Sequence, residues 1–408
     1  MKILIADFKK KRPWLDCDNG ELFNVLKNKG NIELIIKTQL NEIELINEIK
    51  DSSYNLIVIH VEHQGINQAI SIIDELKRNE HRIILYGYGV RFNKTLNNLK
   101  YTIVNNDIHK VVEYIDIILG TLFEYPYGKI LGADYSNLNI SSIFNYPIRY
   151  SKGCENSCPY CERSLEKIKE YRSAYEFEQE LYQAVNKYSA KVITFLDSSL
   201  MGGNKNNRFM EDIVPILEKY NIRWRANGVT VTSIDDDKIE LLRRSGCYLL
   251  SIGIESFSDG VKIGKKVDFE KIKRLLPSLK ANNIYTIGFF ICGLEGDTLE
   301  KSMDSLTIVK NIDIDICLFA SAVALPETVL WNYVNKHGRF LCNISDTFPD
   351  KKNIIHFETD EFTANERIKF MKATEFLKEK NHRAIEQICY ELGGPWSISE
   401  RENIVWKV

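Results

Sequence analysis

Two successive runs of short apolar segments, alternating with amphipathic segments, constrain the fold of this chain more than any other feature. In the first run, within residues 1–120, the strand candidates are Lys2–Ala6, Glu33–Lys37, Asn55–His60, Arg82–Tyr86 and Thr102–Val104. Apolar strands separated by amphipathic helices predict a parallel sheet covered on both faces. Residues 1–120 are therefore expected to form a doubly wound, Rossmann-like α/β domain.

A connector rich in proline, glycine and asparagine, residues 121–145, separates the two runs and is expected to be an irregular linker. The strand candidates of the second run are Ile148–Ser151, Val192–Leu196, Ile222–Ala226, Tyr248–Ile254, Tyr285–Ile291 and Ile316–Val323. Helical patterns lie between them, which again predicts a parallel sheet. Residues 334–408 are expected to form a small helical segment, with Phe362–Gln387 as one long helix.

Charge and hydropathy exclude several function classes. Lys plus Arg total 54 and Asp plus Glu total 56, so the formal net charge is −2. A balanced charge gives no indication of polyanion binding, and nucleic acid is not an expected partner. No apolar stretch approaches the length of a membrane span. The first residues read as a strand rather than as a signal peptide, so a cytoplasmic protein is expected.

Three cysteines lie close together, Cys154, Cys158 and Cys161, in the spacing Cys-x3-Cys-x2-Cys. Three thiolates can hold three irons of a four-iron cluster and leave the fourth iron open to another ligand. A zinc site usually has four Cys or His ligands, and an odd total of nine cysteines argues against a disulfide framework. The spacing therefore favours iron–sulfur over zinc or unmetallated thiols.

The segment Gly153–Cys161 resembles the signature of the radical S-adenosylmethionine (SAM) superfamily, and the resemblance extends over roughly residues 146–330. It implies that the three cysteines ligate a [4Fe-4S] cluster and that Tyr160 lies near the adenine of SAM. It also implies a radical SAM core over residues 146–333, folded as a partial (β/α)6 TIM barrel. The active site of such a barrel lies at the carboxyl ends of its strands.

The ends of two strands carry polar residues that could line the cleft and are expected in the cofactor site. Asp197 follows the second strand, where a helix cap or turn acid is an equally good interpretation. Arg225 lies near the end of the third strand, where related enzymes have a polar or cationic contact to SAM. An arginine there can bind the methionine carboxylate or a substrate acid. A surface ion pair is the alternative for Arg225.

The segment Tyr248–Ser256 resembles the family's fourth strand, in which Glu-Ser follows Gly-Ile. A carboxylate that ends an apolar strand is costly to bury without a partner. Glu255 is therefore expected to accept hydrogen bonds from the ribose hydroxyls or the ammonium of SAM, with Ser256 beside it in the cofactor site.

The segment Tyr285–Thr298 resembles the fifth strand of a large subgroup. Gly288 and Gly293 leave room there for the backbone to approach the adenine. The segment Ala324–Trp331 resembles the motif after the sixth strand, but Glu327 stands where glycine is usual.

A Rossmann-like domain before a radical SAM core resembles the cobalamin-dependent, class B-like subgroup. Many cobalamin proteins supply an axial histidine from an Asp-x-His-x-x-Gly loop, which the segment Asp7–Arg12 does not contain. Two alternatives stay open: the domain binds cobalamin without that histidine, or it is a degenerate remnant that docks a partner or substrate.

The resemblance implies an enzyme that generates a 5′-deoxyadenosyl radical and abstracts hydrogen from an unactivated carbon. With cobalamin bound, C-methylation by a methyltransferase is the expected outcome. Without cobalamin, epimerisation, dehydration, rearrangement and peptide modification are open. The alternatives from other classes are an iron–sulfur electron carrier or redox sensor, and a zinc-stabilised binding module. The implied partners are a reductant such as flavodoxin or ferredoxin and a small-molecule or peptide substrate.

Overall fold

The computed structural model describes most of the chain as two compact units, Met1–Ser141 and Ser142–Val408. The described residues are 1–8, 17–27, 32–62, 65–76, 82–91, 102–105, 108–119, 130–136, 138, 140–165, 170–202, 208–265, 267–344 and 354–394. No helix in these ranges has both the length and the apolar character needed to cross a bilayer.

The first unit is a parallel sheet covered by helices. Its strands β1–β5 span Lys2–Phe8, Glu33–Leu40, Leu56–His60, Arg82–Tyr86 and Thr102–Asn105. Its helices α1–α5 span Cys17–Leu26, Glu42–Asp51, Ile66–Leu76, Tyr88–Arg91 and Ile108–Leu119. The strand order is β2-β1-β3-β4-β5 and every neighbouring pair is parallel. This is the expected doubly wound fold, in which the strand order reverses between β1 and β3.

The two faces of this sheet are buried by alternate residues of the same strand. Ile3 and Ile5 of β1 belong to one apolar cluster, which includes Leu22 of α1. Leu4 and Ala6 belong to a separate cluster on the other face. Strands buried on both faces carry continuous apolar runs, which is why the sequence of β1 indicated a parallel sheet.

Strand β1 continues beyond the end expected from the sequence and includes Asp7. Asp7 is fully buried and accepts a hydrogen bond from Asn19 Nδ2 at 2.9 Å. Asn19 Oδ1 in turn accepts a bond from the Tyr86 hydroxyl at 2.5 Å. The remaining residues of the loop predicted after the first strand, 9–12, lie outside the described residues.

Part of the segment expected to be a linker, 121–145, packs on the first unit. Within residues 130–136, Asp134 Oδ2 lies 2.5 Å from Lys27 Nζ. The Asp134 N–H also donates to the Gly20 carbonyl at 3.0 Å. The division between the units therefore falls after these residues, at 141.

The second unit is built on six parallel strands that follow one another in chain order. The strands of this sheet, β6 and β9–β13, span Asn145–Ile148, Val192–Phe195, Arg223–Val229, Cys247–Glu255, Tyr285–Cys292 and Ile316–Ser321. The helices that follow them, α6–α10, span Ala174–Asn186, Val214–Tyr220, Asp236–Arg244, Phe269–Ala281 and Leu299–Lys310. Sequential parallel strands with intervening helices form the expected incomplete (β/α)6 barrel.

Smaller elements complete the second unit. Short antiparallel pairs are formed by β7 with β8 and by β14 with β15. These strands span Ser151–Lys152, Glu170–Tyr171, Gly338–Phe340 and Phe357–Thr359. The helices α11–α13 span Val329–His337, Ala364–Ala373 and Leu377–Leu392.

The helix expected over Phe362–Gln387 is wrong as a single element. Helix α12 ends before Thr374, whose hydroxyl donates to the Met371 carbonyl at 2.7 Å. A side chain that bonds the backbone of the preceding turn competes with helix continuation. Helix α13 then begins at Leu377 and ends before Gly393, which has a φ of 66°. The apolar residues keep a helical spacing across residues 374–376, so the sequence pattern did not show that the helix is interrupted there.

Candidate functional site

The cysteine loop lies beyond the carboxyl end of β6, between the two short strands β7 and β8. The strand ends at Ile148, three residues before the end expected from the sequence, and β7 directly precedes the loop. Gly153 opens the loop with a φ of 80°, a conformation that other residues adopt at a steric cost. The loop therefore starts at the barrel edge where the sequence placed it.

The three thiols are free and are held in a compact turn. Cys158 is buried, whereas Cys154 and Cys161 are partly exposed. The Cys161 N–H donates to the Cys158 carbonyl at 3.1 Å. Both the backbone N–H and the side-chain amide of Asn156 donate to Cys154 Sγ, at 3.5 and 3.6 Å. Hydrogen bonds to sulfur stabilise a thiolate and are a common feature around iron–sulfur clusters.

The electrostatic environment of the loop disfavours bare thiolates. Burial raises the pKa of Cys161 to about 12. Burial also raises the pKa of Cys158, against the opposing positive charge of Lys265. Two ionised sulfurs in this place require additional positive charge, which iron would supply. Among the described residues, no three His, Cys, Asp or Glu side chains converge on a site for a single metal ion. A four-iron cluster has no such requirement, because each thiolate binds a different iron.

Asp197 fixes the chain just before the cysteine loop. It is 2% exposed, and its carboxylate accepts hydrogen bonds from the backbone N–H groups of Tyr150 and Ser151, at 3.1 and 2.5 Å. The Ser151 hydroxyl donates a third bond at 2.6 Å. Burial raises the pKa of Asp197, and these donors oppose that shift. The structure therefore gives Asp197 protein partners, and its contact with the cofactor stays a prediction.

Glu255 ends β11 as half of a buried ion pair. Its side chain is 7% exposed, and Oε1 lies 2.6 Å from Lys265 Nζ. A side chain at Gly253 would overlap this pair, so the glycine keeps the space open. The backbone of Glu255 has a φ of 67°, in the left-handed region that costs a non-glycine residue about 1–2 kcal/mol. Backbone strain of this kind concentrates at binding and catalytic sites.

Lys265 contacts Glu255 and was not among the residues predicted for this site. It reaches Glu255 because the turn at Gly264 lies against the cysteine loop. A Cβ on Gly264 would be 2.7 Å from Cys158 Cα, and the glycine has a φ of 73°. The sequence signal that could have located Lys265 is this glycine, which marks a close backbone approach. The turn brings a cation beside both Glu255 and a cluster cysteine.

Arg225 does not lie at the end of its strand. Strand β10 continues to Val229, beyond the end expected from the sequence, so Arg225 occupies its third position. Arg225 is 5% exposed, and its charge opposes the rise in pKa that burial gives Tyr248. Asn227 lies two residues closer to the carboxyl end, on the same face, and accepts a bond from the Ser251 hydroxyl at 3.1 Å.

Ser256 and Gly288 both contact the protein interior. The Ser256 hydroxyl lies 3.2 Å from the Ser305 hydroxyl of α10 and accepts a bond from the Ser258 N–H at 3.1 Å. Gly288 faces apolar side chains, and a Cβ there would lie 3.1 Å from Cδ1 of Ile314. These contacts place Ser256 in a turn and Gly288 against the core, and the cofactor contacts expected for them stay predictions.

The loop after β12 is tightly held. The Gly293 N–H donates to Asp297 Oδ2 at 2.7 Å, and the Ser302 hydroxyl donates to the same oxygen at 2.9 Å. Gly293 has a φ of 84°. The Cα of Gly293 lies against the guanidinium of Arg367, and a Cβ at this position would overlap that group. The need for glycine at this position therefore comes from backbone conformation and from Arg367.

A cavity of about 220 Å³ lies between the cysteine loop and the ends of β12 and β13. Its walls are mostly apolar, and the residues that line it are Tyr160, Cys161, Glu162, Ile291, Leu294, Ala320, Ser321, Ala322, Val323 and Leu325. Burial, followed by the negative charges of Glu255 and Cys158, raises the pKa of Tyr160. Tyr160 therefore joins the cavity to the Glu255–Lys265 pair.

Four of the expected site residues thus come together with Lys265: Tyr160, Glu255, Cys158 and Cys161. At the loop after β13, Glu327 has a φ of 65°, which explains why glycine suits that position. Apolar walls with a few convergent polar groups are typical of sites for small ligands. A cavity that adjoins free thiols and a buried ion pair can accommodate an organic molecule next to a metal cluster.

Sequence comparison finds a known family whose model matches the segment that carries this site. Residues 148–307 match the model of the Radical SAM superfamily. The chain is 28% identical over 187 residues to an uncharacterized methyltransferase of Pyrococcus horikoshii. It is 25% identical over 191 residues to the bacteriochlorophyllide d C-12(1)-methyltransferase of Chlorobaculum tepidum. These matches each cover 45% of this chain and only 40% and 41% of the relatives' own length.

Structural comparison extends the likeness to the fold of both units. The radical SAM methyltransferase TsrM of Kitasatospora setae, solved with cobalamin and a [4Fe-4S] cluster, matches 82% of this chain and 78% of its own with a TM-score of 0.65 and 14% identity. The cobalamin-dependent SAM radical enzyme OxsB matches 92% of this chain and 61% of its own with a TM-score of 0.61 and 14% identity. At such identity the likeness is one of fold. The cysteine loop on the partial barrel thus lies in a segment, residues 148–307, that is similar to the radical SAM superfamily.

Proposed function

We propose that this protein is a radical SAM enzyme whose Cys154, Cys158 and Cys161 hold a [4Fe-4S] cluster. The observation that carries the proposal is the convergence of the cysteine loop, the buried Glu255–Lys265 pair and a cavity at one edge of the barrel. The bound cluster supplies the electron that cleaves SAM to methionine and a 5′-deoxyadenosyl radical. The residues fit these cofactors, since the thiols are free and the neighbouring cavity is open.

The chain's own residues divide the work of holding SAM. Glu255 is a fixed carboxylate that accepts hydrogen bonds from the ribose hydroxyls or the ammonium group. Lys265 holds the carboxylate in place before SAM binds. The apolar cavity beside Tyr160 accepts the adenine and excludes water from it. Asp197 accepts a hydrogen bond from the backbone N–H of Ser151 and thereby orients the cysteine loop.

The finer proposal is cobalamin-dependent methylation of an unactivated carbon. Support comes from the fold likeness to TsrM and OxsB, which extends across both units, and from the methyltransferase names of the curated relatives. In a doubly wound sheet, ligands bind where the strand order reverses, here between β1 and β3. The first unit would bind the corrin at that place. Among its described residues we name no ligand for it.

A second candidate, a cobalamin-independent radical reaction, is favoured by the occupied edge of the first sheet. Asp7, Asn19 and Tyr86 form a buried hydrogen-bond chain there. The ring of His60 lies against Gly87, where a Cβ would overlap it. Side chains that are hydrogen-bonded to one another at this edge leave little room for the tail of a cofactor. In this alternative the first unit docks a partner or the substrate, and the products of epimerisation, dehydration, rearrangement or peptide modification are open.

The experiment that tests the proposal is anaerobic purification from cells supplied with hydroxocobalamin, followed by iron, sulfide and corrin analysis. The protein is then incubated with SAM and reduced flavodoxin or ferredoxin, and nucleoside products are identified by mass spectrometry. Release of 5′-deoxyadenosine supports the proposal, and S-adenosylhomocysteine together with bound corrin supports methylation. Cluster and 5′-deoxyadenosine without corrin support the second candidate. An iron-loaded protein that releases no 5′-deoxyadenosine would refute both and favour an electron carrier.

A further inference from the structure

Arg367 of α12 is a fully buried cation in the segment that follows the barrel. Its Nε donates to the Phe362 carbonyl at 3.2 Å. Its Nη1 is buried and has no hydrogen-bond partner among the described residues. Within the same part of the chain, no carboxylate lies within ion-pair distance of the guanidinium. A buried charge with an unsatisfied donor is unfavourable, so its presence requires an explanation.

Two aromatic rings hold the guanidinium in place. Its Cζ lies 4.2 Å from the ring centroid of Phe357 and 5.2 Å from that of Phe362. Stacking on aromatic faces favours a planar cation and restricts its orientation. Helix α12 itself is anchored at its start by a capping box between Thr363 and Glu366. The guanidinium is therefore held in one orientation and presents a rigid, planar surface. A flexible side chain would not present such a surface.

This surface supports the loop that borders the cavity. Gly293 lies directly on the guanidinium, and its N–H is bound on the other side by Asp297. The next residue, Leu294, is 3% exposed and lines the cavity together with Tyr160. Phe357 belongs to the same apolar cluster as Leu294, with Tyr160 packed against it. A change in the position of the guanidinium would thus move a wall of the cavity.

The titratable groups that face Arg367 come from several elements. Burial lowers the pKa of Arg367 to about 10, and the groups that oppose this shift are Cys292, Asp297, Glu358 and Tyr333. These interactions are electrostatic and act at longer range than an ion pair. Replacement of such a cation by an apolar side chain of similar length is often neutral or stabilising. Stability alone therefore does not account for an arginine at this place.

We infer that Arg367 is a positioning residue that sets the Gly293–Leu294 wall against the adenosyl part of SAM. The inference rests on the proposed function, and it gives the segment beyond the family match a role in cofactor binding. Arg367 acts through the loop and touches no reacting atom. Its loss should weaken the recognition of the adenosyl group and leave the cluster and its cysteine loop intact.

The experiment compares reconstituted wild type with Arg367→Met, Arg367→Lys and Arg339→Met. Arg339 belongs to the same segment but is exposed and pairs with Glu358, so Arg339→Met is a matched control. Iron content, Tm and the Kd values for SAM and for methionine, which lacks the adenosyl group, are measured under anaerobic conditions. For Arg367→Met we expect unchanged iron, a Tm within about 2 °C of wild type or higher, and a SAM Kd raised about tenfold, with the methionine Kd unchanged. Arg367→Lys should lie between, and Arg339→Met should match wild type.

Two results would overturn the inference while the proposed function stands. One is a wild-type SAM Kd in Arg367→Met. The other is a parallel loss of affinity for SAM and methionine together with lost iron and a lowered Tm in both Arg367 variants, which would make Arg367 a residue of stability alone. A wild-type protein that carries the cluster but does not bind SAM would overturn the proposed function and, with it, the inference.

Discussion

Two glutamates with left-handed backbones allow the role of Glu255 to be separated from its effect on stability. Glu255 and Glu327 have φ values of 67° and 65°. Glu255 is buried and paired with Lys265, whereas Glu327 is exposed and forms no ion pair with the residues that the structure describes. Replacement by glycine relieves backbone strain at both positions. Only the change at Glu255 should alter the binding of SAM.

The expected magnitudes follow from three opposing effects. Relief of a left-handed backbone gains about 1–2 kcal/mol per residue, and the extra entropy of glycine in the unfolded chain offsets roughly 0.5–1 kcal/mol of it. Glu327→Gly should therefore stabilise the protein by about 1 kcal/mol or less. Glu255→Gly also leaves Lys265 buried without its partner, which costs about 3–5 kcal/mol. The double variant Glu255→Gly/Lys265→Met removes both charges and should return to near wild-type stability.

The assay is thermal unfolding of the full chain under anaerobic conditions, with SAM affinity measured on the same preparations. A gain of about 1 kcal/mol corresponds to a Tm rise of roughly 2–4 °C for a unit of this size. We expect Glu327→Gly to show a rise of this order or smaller with unchanged affinity. The double variant should keep its Tm and lose most of its affinity for SAM. Wild-type affinity in the double variant would refute the assignment of Glu255 to the cofactor site. A lowered Tm in Glu327→Gly would refute the argument from strain.

Three further results are expected. Cys154→Ala should lose the cluster, whereas Cys342→Ala, at a partly exposed cysteine outside the site, should keep it, as iron analysis will show. Asp197→Ala leaves the buried donors of Ser151 without an acceptor at about 1–3 kcal/mol each, so iron should be lost faster to a chelator; an unchanged rate would contradict the role given to Asp197. Burial lowers the pKa of His356 from 6.5 to about 4, so stability should be full above pH 6.5 and fall as the pH drops towards 4. A chemical denaturation series at several pH values checks this, and His356→Asn should have a flatter profile than wild type.

The architecture was predictable because parallel strands leave a plain signal. Apolar runs such as the one in β1 are buried on both sheet faces, and helices with one apolar stripe lie between them. The cysteine loop was placed correctly because a functional loop follows a strand at the carboxyl edge of a barrel. The positions of the strand ends were less certain, since β10 continues past Arg225 to Val229 and so moves that residue away from the edge.

Individual contacts were harder to predict because they depend on where the chain returns. Gly288 is expected to make room for adenine; the structure places Ile314 beside it, and a sequence does not show which neighbour lies next to a glycine. Ser256 follows Glu255 directly in sequence. Because the backbone of Glu255 is in the left-handed region, the chain turns there and the hydroxyl of Ser256 lies near that of Ser305. Lys265 could be found only once the turn at Gly264 was known to pack on the cysteine loop.

The measurement that tests the central claim most directly is electron paramagnetic resonance of the reduced protein before and after addition of SAM, on samples of known iron content. We predict about four irons per chain, a reduced-cluster signal, and a clear change of that signal when SAM binds the open iron. A Cys158→Ala sample should give no such signal. A wild-type cluster whose spectrum is unchanged by saturating SAM, or a protein that contains zinc and no iron, would contradict the account.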